Sequence, residues 1–282
     1  MKTGIIDVGG GLRGIYAAGV LDYCIMNDIR FDCCIGVSAG SGNAASYLAG
    51  QVQRNYRFFH DYSSRKEYMG VGNLIRNGSY INLEYIYGSL SRSGGEDPLN
   101  WKKMNRNPGD LFVVASDVES GQAKYFTKAD MHQDDYRILM ASCCVPAINR
   151  PIEIGHHFYI DGGVSEPVPL EKAFQEGCDK VVLIFTRPVD KPCESGQDAL
   201  IARMLRRHYP IAAREVATRA QRYNAAIQSA QHYEKEGKVL ILSPDDIEGM
   251  RTLNRDEKAL THLYDMGLRH GEKVKRWFQT FE

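Results

Sequence analysis

Residues 32–45 read DCCIGVSAGSGNAA, and the fold turns on them. The run 32–37 (Asp-Cys-Cys-Ile-Gly-Val) ends at Ser38, and small residues follow: Ala39, Gly40, Ser41, Gly42, Ala44 and Ala45. The run predicts a short buried strand, and the small residues predict a helix packed tightly on a sheet. Toward the N-terminus, 4–8 (Gly-Ile-Ile-Asp-Val) predicts another buried strand and 9–14 a glycine loop. Residues 15–27 follow with helical spacing, Ile15, Val20, Leu21 and Ile25 forming one apolar stripe. Strand, loop, helix, strand, sharp turn, helix is the opening of a parallel sheet covered on both faces.

Toward the C-terminus, residues 60–108 are rich in Gly, Ser and Asn and read as an irregular excursion that covers a site. Residues 111–115 predict a buried strand, 123–127 its hairpin partner, and 130–142 a helix. Residues 152–154 and 157–160 flank a Gly155-His156 turn, and 181–185 is a further buried strand. Residues 198–236 are mainly helical, interrupted near Pro210, with a stripe at 212, 216, 220, 223, 227 and 230. Residues 239–242 predict the last strand and 256–278 the last helix. No repeat, low-complexity linker or domain boundary interrupts the chain, so 1–282 reads as a single domain with a mainly helical part from about 197.

Composition narrows the function classes. With 43% hydrophobic and 25% charged residues, the 282-residue chain matches an ordinary globular protein with a sizeable core. Lys+Arg and Asp+Glu are 35 each, which gives no basic footprint for nucleic acid. Mean hydropathy is −0.37, and no apolar run approaches the length of a membrane span. The seven cysteines form no CxxC pair and show no zinc-ligand spacing, so a reduced, cytoplasmic chain without a metal is expected.

Three motifs carry chemistry. Gly36-Val37-Ser38-Ala39-Gly40 is a G-x-S-x-G in strand–turn–helix context, the setting in which a strained turn projects a serine Oγ above the sheet edge. Gly9-Gly10-Gly11-Leu12-Arg13-Gly14 also satisfies the dinucleotide-binding G-x-G-x-x-G. That reading wants an acid at the carboxyl end of the next strand, whereas Asp32 lies at its start. The loop is therefore read as a donor of N–H groups from Gly10, Gly11, Leu12, Arg13 and Gly14 to an oxyanion. Arg13 itself is open to a substrate phosphate or to a local carboxylate. Asp161-Gly162-Gly163 ends an apolar strand, where α/β sites lie, and parallel strands are expected to bring all three motifs to one sheet edge. For a Ser-His-Asp triad, His262 and His270 come last in the chain, as the order requires, but both fall in a predicted helix. His157 and Asp161 are about 13 Å apart along a strand and cannot both touch Ser38. A Ser38–Asp161 dyad is preferred, with the aspartate made more basic by exclusion of water. A triad, a nucleotide-binding protein and a lipid-binding scaffold remain as alternatives.

Together these motifs resemble those of bacterial patatin-like phospholipases over most of the chain. The glycine loop 9–14, the elbow 36–40 and the 161–163 motif each resemble a family motif. So do the Ala141-Ser142 to Pro146 block and Asp117 followed by Gly121. Val8 stands where a fourth glycine is common, and Glu166-Pro167 where Asn-Pro is frequent. The resemblance implies a three-layer α/β/α sandwich with a mainly parallel sheet, and a Ser-Asp dyad without histidine. It implies a lipid or acyl-ester substrate and no cofactor or metal. Peripheral contact with a membrane is expected from six arginines against one acid, Glu215, within 199–233. The sequence leaves the oligomeric state open.

Overall fold

The computed structural model of the chain describes residues 1–280. Strand β1 (Thr3–Asp7), helix α1 (Ile15–Met26), strand β2 (Cys33–Val37) and helix α2 (Ala39–Leu48) form the expected opening. The excursion that follows carries short helices: α3 (Arg54–Phe59), α4 (Val71–Asn77), a π-helical turn at Glu84–Leu90, and α5 (Trp101–Arg106). Then come β3 (Asp110–Asp117), β4 (Ala123–Thr127), α6 (Arg137–Ser142), β5 (Ile152–Ile154) and β6 (His157–Asp161). The chain continues through α7 (Leu170–Gln175), β7 (Lys180–Ile184), α8 (Gly196–Leu205), α9 (Pro210–Lys235), β8 (Val239–Leu242) and α10 (Glu257–Phe278).

The strands form one mixed, mostly parallel sheet of order β5-β6-β3-β2-β1-β7-β8, with β4 also paired to β3. Successive strand residues face opposite layers, as a pleat buried on both sides requires. Ile5, Cys34 and Val113 pack into the core under α1, α2 and α10, while Ile6, Cys33 and Phe112 pack into the core under α7 and α9. The result is the three-layer α/β/α sandwich. The α9 stripe behaves as its spacing predicts: Ala212, Val216, Ala220, Ile227 and Ala230 are buried, and Tyr223 packs on Phe185.

Two expectations are corrected. Helix α6 begins only at Arg137. Lys128–Asp130 is a 3₁₀ turn closed by a Thr127/Asp130 capping box, and Asp134 has φ 68°, which a helix does not permit. More consequentially, β6 runs antiparallel to β3, so parallel strands alone do not gather the motifs. β3 pairs with β2 along 110–114, with β6 along 115–117, and with β4 along 112–116. One edge of a strand takes one partner at each residue. β2 and β6 therefore share an edge of β3 end to end, running toward each other. Val37 faces Val114 and Asp161 faces Ala115, which brings Ser38 and Asp161 together from opposite directions.

Candidate active site

Ser38 sits between β2 and α2 at φ 55°, ψ −130°, an uncommon backbone for a residue with a Cβ. Such a conformation costs about 1–3 kcal/mol and persists only where the surroundings hold it. Here they do: the Ser38 N–H donates to Ser142 Oγ at 2.9 Å, and its carbonyl accepts from the Ser41 N–H at 2.9 Å and Ser41 Oγ at 2.7 Å. The elbow glycines are required by close approach. A Cβ on Gly36 would run into the Ser41 backbone, and one on Gly40 into the Asp7 carbonyl. Ser142 lies in the Ala-Ser…Pro block, so its place was signalled in the sequence, but its role in holding the elbow was not.

Ser38 Oγ donates to Asp161 Oδ2 at 2.6 Å. The other carboxylate oxygen, Oδ1, accepts from the Gly163 N–H at 2.8 Å, which fixes the carboxylate plane. Gly162 packs directly on the Val114 carbonyl, with no room for a side chain. Asp161 is buried, and that burial raises its pKa above the usual aspartate value; the Ser38 and Gly163 hydrogen bonds and the more distant charge of Arg219 work against the rise. Arg219 and Arg222 were read in the sequence only as part of a basic helix. Arg222 donates to the Val164 carbonyl in the turn after Asp161, and Arg219 pairs with buried Asp198 of α8, so α8 and α9 are tied to the site's flank.

The glycine loop lies against the elbow. A Cβ on Gly9, which has φ 69°, would sit 2.2 Å from the Val37 carbonyl and 3.1 Å from Ser38 Cβ, so a side chain is excluded both by the backbone conformation and by that carbonyl. Buried Asp7, a residue the motif reading passed over, holds this arrangement. One oxygen accepts from the Gly9 N–H at 2.9 Å and the other from Asn43 Nδ2 at 2.8 Å, while Asn43 Nδ2 also reaches the Gly14 carbonyl at 3.0 Å. Burial pushes the Asp7 carboxyl up to about 6. Of the five loop N–H groups expected to serve an oxyanion, that of Leu12 donates to the Thr252 carbonyl at 2.8 Å. Arg13 and Gly14 belong to the 3₁₀ turn Gly11–Gly14, whose i→i+3 bonding takes up such groups. Gly10 and Gly11 keep N–H groups with no protein acceptor among the described residues. Thr252 stands 240 residues along the chain from Leu12, and no local pattern announces that contact.

No histidine is hydrogen-bonded to Ser38 or Asp161 among the described residues. His270 is buried against Tyr16, its Nδ1 2.8 Å from the phenol oxygen; His262 lies exposed near Glu248; and His157 meets Asp117 Oδ2 at 3.1 Å. His157→Ala and His262→Ala are therefore expected to keep most ester-hydrolysing activity. His270→Ala should lower the melting temperature more than the rate of the folded enzyme, because it leaves Tyr16 without its partner. Steady-state rates beside thermal melts check both, and a folded but inactive His157 or His262 variant would restore the triad. Among the described residues no three His, Cys, Asp or Glu side chains group as a metal site.

Fold and site together define an α/β/α protein whose strained strand-end serine is bonded to a buried strand-end aspartate. The model of the patatin-like phospholipases matches residues 8–174, more than half of the chain, and the chain belongs to that family. A second model, a domain of unknown function (DUF6363), matches residues 209–281. Among curated proteins the chain is similar to the uncharacterized protein YjjU of Escherichia coli, 26% identical over 192 residues, 66% of this chain and 52% of that protein. It is also similar to the lysophospholipase NTE1 of Candida albicans, 23% identical over 67% of this chain and 13% of that protein. The probable lipid hydrolase 463L of Invertebrate iridescent virus 6 is 24% identical over 62% of this chain and 63% of that protein. The matches thus span less than two thirds of each of these relatives. The fold is shared with VipD from Legionella pneumophila, whose crystal structure aligns at a TM-score of 0.53 with 13% identity, covering 97% of this chain and 66% of that one.

Proposed function

We propose that the chain is a lipid acyl hydrolase that cleaves esters through a Ser38–Asp161 dyad and an acyl-enzyme. The observation that carries this reading is the 2.6 Å bond from Ser38 Oγ to a buried Asp161 carboxylate, beside a loop with two uncommitted N–H groups. Asp161 takes the Ser38 proton as Oγ attacks the ester carbonyl. The Gly10 and Gly11 N–H groups receive the oxyanion, and collapse of the tetrahedral intermediate expels the alcohol, which takes the proton from Asp161. Water then attacks the acyl-enzyme, giving its proton to Asp161, and Ser38 leaves reprotonated with release of the fatty acid. Membership of a phospholipase family and the names of the similar proteins support a lipid as the acyl donor. The test is fatty-acid release from a panel of phospholipids and neutral acyl esters by wild type and Ser38→Ala. Turnover by wild type alone is expected; a nucleotide-binding protein would turn over none of them.

The same reading calls for contact with a lipid surface. Among the described residues no helix is long and apolar enough to cross a membrane. The outer face of α8 and the turn after it combine Leu200, 63% exposed, and Met204, 57% exposed, with Arg203, Arg206 and Arg207. The acid on α8, Asp198, is buried and paired with Arg219, so no carboxylate of α8 itself offsets that face. An apolar stripe set among cations suits an anionic bilayer surface, at about 1 kcal/mol per basic residue. Co-sedimentation with anionic vesicles is expected to weaken at high salt and in Arg206→Glu/Arg207→Glu. Equal binding in all conditions would remove α8 as the contact.

A further inference from the structure

The glycine loop has little of its own with which to hold a shape. Gly9, Gly10 and Gly11 follow one another with φ of 69°, 132° and 61°, and they bring no side chains to the packing. Donors that meet a developing oxyanion must be fixed before it forms. Strand ends fix one flank of the loop: the Gly9 N–H donates to Asp7 at the end of β1, and the Gly9 carbonyl accepts from Thr186 Oγ1, two residues past β7. Residues 250–255, between β8 and α10, fix the other. The Leu12 N–H donates to the Thr252 carbonyl at 2.8 Å, and a Cβ on Gly11 would run into that carbonyl and into the Thr252 Cγ2 methyl. Gly10 and Gly11, whose N–H groups are uncommitted, stand between the two anchors.

The second anchor is itself held. Met250 is buried and donates its N–H to the Ile247 carbonyl at 2.7 Å. Arg255 Nη2 crosses to the Met69 carbonyl in the excursion, and Asp256 caps α10 by accepting from the Lys258 and Ala259 N–H groups, each at 3.1 Å. Helix α10 lies in backbone contact with α1, the helix into which the glycine loop runs. A Cβ on Gly267 would meet the Tyr16 carbonyl, and one on Gly19 the Tyr264 carbonyl. Tyr264 also donates its hydroxyl to Asp22 Oδ2 on α1 at 2.7 Å. With the loop at the start of α1 and Thr252 just before α10, this helix pair sets the distance from Gly11 to Thr252. Thr252, Arg255 and α10 all belong to 209–281, the stretch matched by the model of a domain of unknown function.

We infer that Thr252 is a positioning residue for the oxyanion loop, and that the C-terminal stretch 209–281 serves catalysis by supplying it. Thr252 Oγ1 makes no hydrogen bond among the described residues, so the role falls to the carbonyl and the methyl. The inference rests on the hydrolase reading for the reaction that the loop serves, but the hold of Thr252 on the loop can be measured without turnover.

The test compares the full chain with Thr252→Gly, which removes the methyl and loosens the backbone that offers the carbonyl. On a short-chain, water-soluble ester kcat is expected to fall roughly tenfold or more, with KM close to wild type, as displaced oxyanion donors imply. Thr252→Val keeps the branched side chain and should recover most of the rate. Thr252 is exposed, so the melting temperature should move little. Hydrogen–deuterium exchange of the peptide spanning 9–14 gives a readout without catalysis, and it should speed up in Thr252→Gly but not in Thr252→Val. An unchanged kcat in Thr252→Gly overturns the positioning role. So does a loss of kcat that accompanies a large fall in melting temperature while exchange of 9–14 stays as in wild type, because Thr252 is then a stability residue only. Wild type that hydrolyses no ester refutes the hydrolase reading, and exchange then decides by itself: faster exchange in Thr252→Gly sustains Thr252 as the anchor of the loop, and equal exchange overturns it.

Discussion

Asp161→Asn is expected to lower kcat/KM for an acyl ester by about four orders of magnitude or more, the scale seen when a serine hydrolase loses its base. The amide keeps the shape of the carboxylate and can still accept one hydrogen bond, but it cannot take the Ser38 proton. Burial raises the Asp161 pKa, so in wild type the acid limb of the pH–rate profile should lie above the usual aspartate range. Activity should fall as pH drops through that value, because the protonated acid is no longer a base. The sign for stability is opposite. A folded-state pKa above the unfolded one gives stability that is complete at low pH and lost as pH rises through the folded pKa. Above its folded pKa the ionised, buried Asp161 is therefore a stability cost, and there Asp161→Asn should melt no lower than wild type. Rates and thermal melts on the same preparation check the pair of outcomes; an inactive variant that also melts much lower would make Asp161 a structural residue instead.

Ser38→Ala is expected to abolish turnover to a similar degree, and the double variant Ser38→Ala/Asp161→Asn should be no worse than either single one. Residues acting as one unit are strongly non-additive: once the nucleophile is gone, its base has nothing to deprotonate. The backbone should hold its strained conformation in Ser38→Ala, because the bonds to Ser142 and Ser41 use main-chain atoms of residue 38. Single and double variants assayed on one ester give the coupling directly. Losses that multiply would show that the two side chains work separately.

The sequence made the elbow legible because its chemistry is local: strand, Ser38 and small helix residues lie within fourteen consecutive positions. Asp161 was legible for a similar reason, the two glycines that follow it. The direction of β6 was not, since nothing in the run HFYID at 157–161 differs according to whether it runs up or down the sheet. The start of α6 was misplaced because Met131 and Tyr136 are buried without being helical: Met131 stands seven residues before Ile138 and Tyr136 three before Leu139, spacings that imitate a helix. The engagement of the Leu12 N–H was not legible, since only the fold brings the Thr252 carbonyl to it. That the Arg13 Nε would be buried without a protein partner among the described residues had no local signal in the sequence.

Ser38 as the nucleophile is the claim on which the catalytic account depends, and covalent labelling tests it most directly. Wild type treated with a fluorophosphonate should gain the mass of one adduct, and peptide mapping should place it on Ser38. Ser38→Ala should gain none, and Asp161→Asn should label far more slowly. An adduct on another residue, or none on protein that hydrolyses esters, would contradict the dyad.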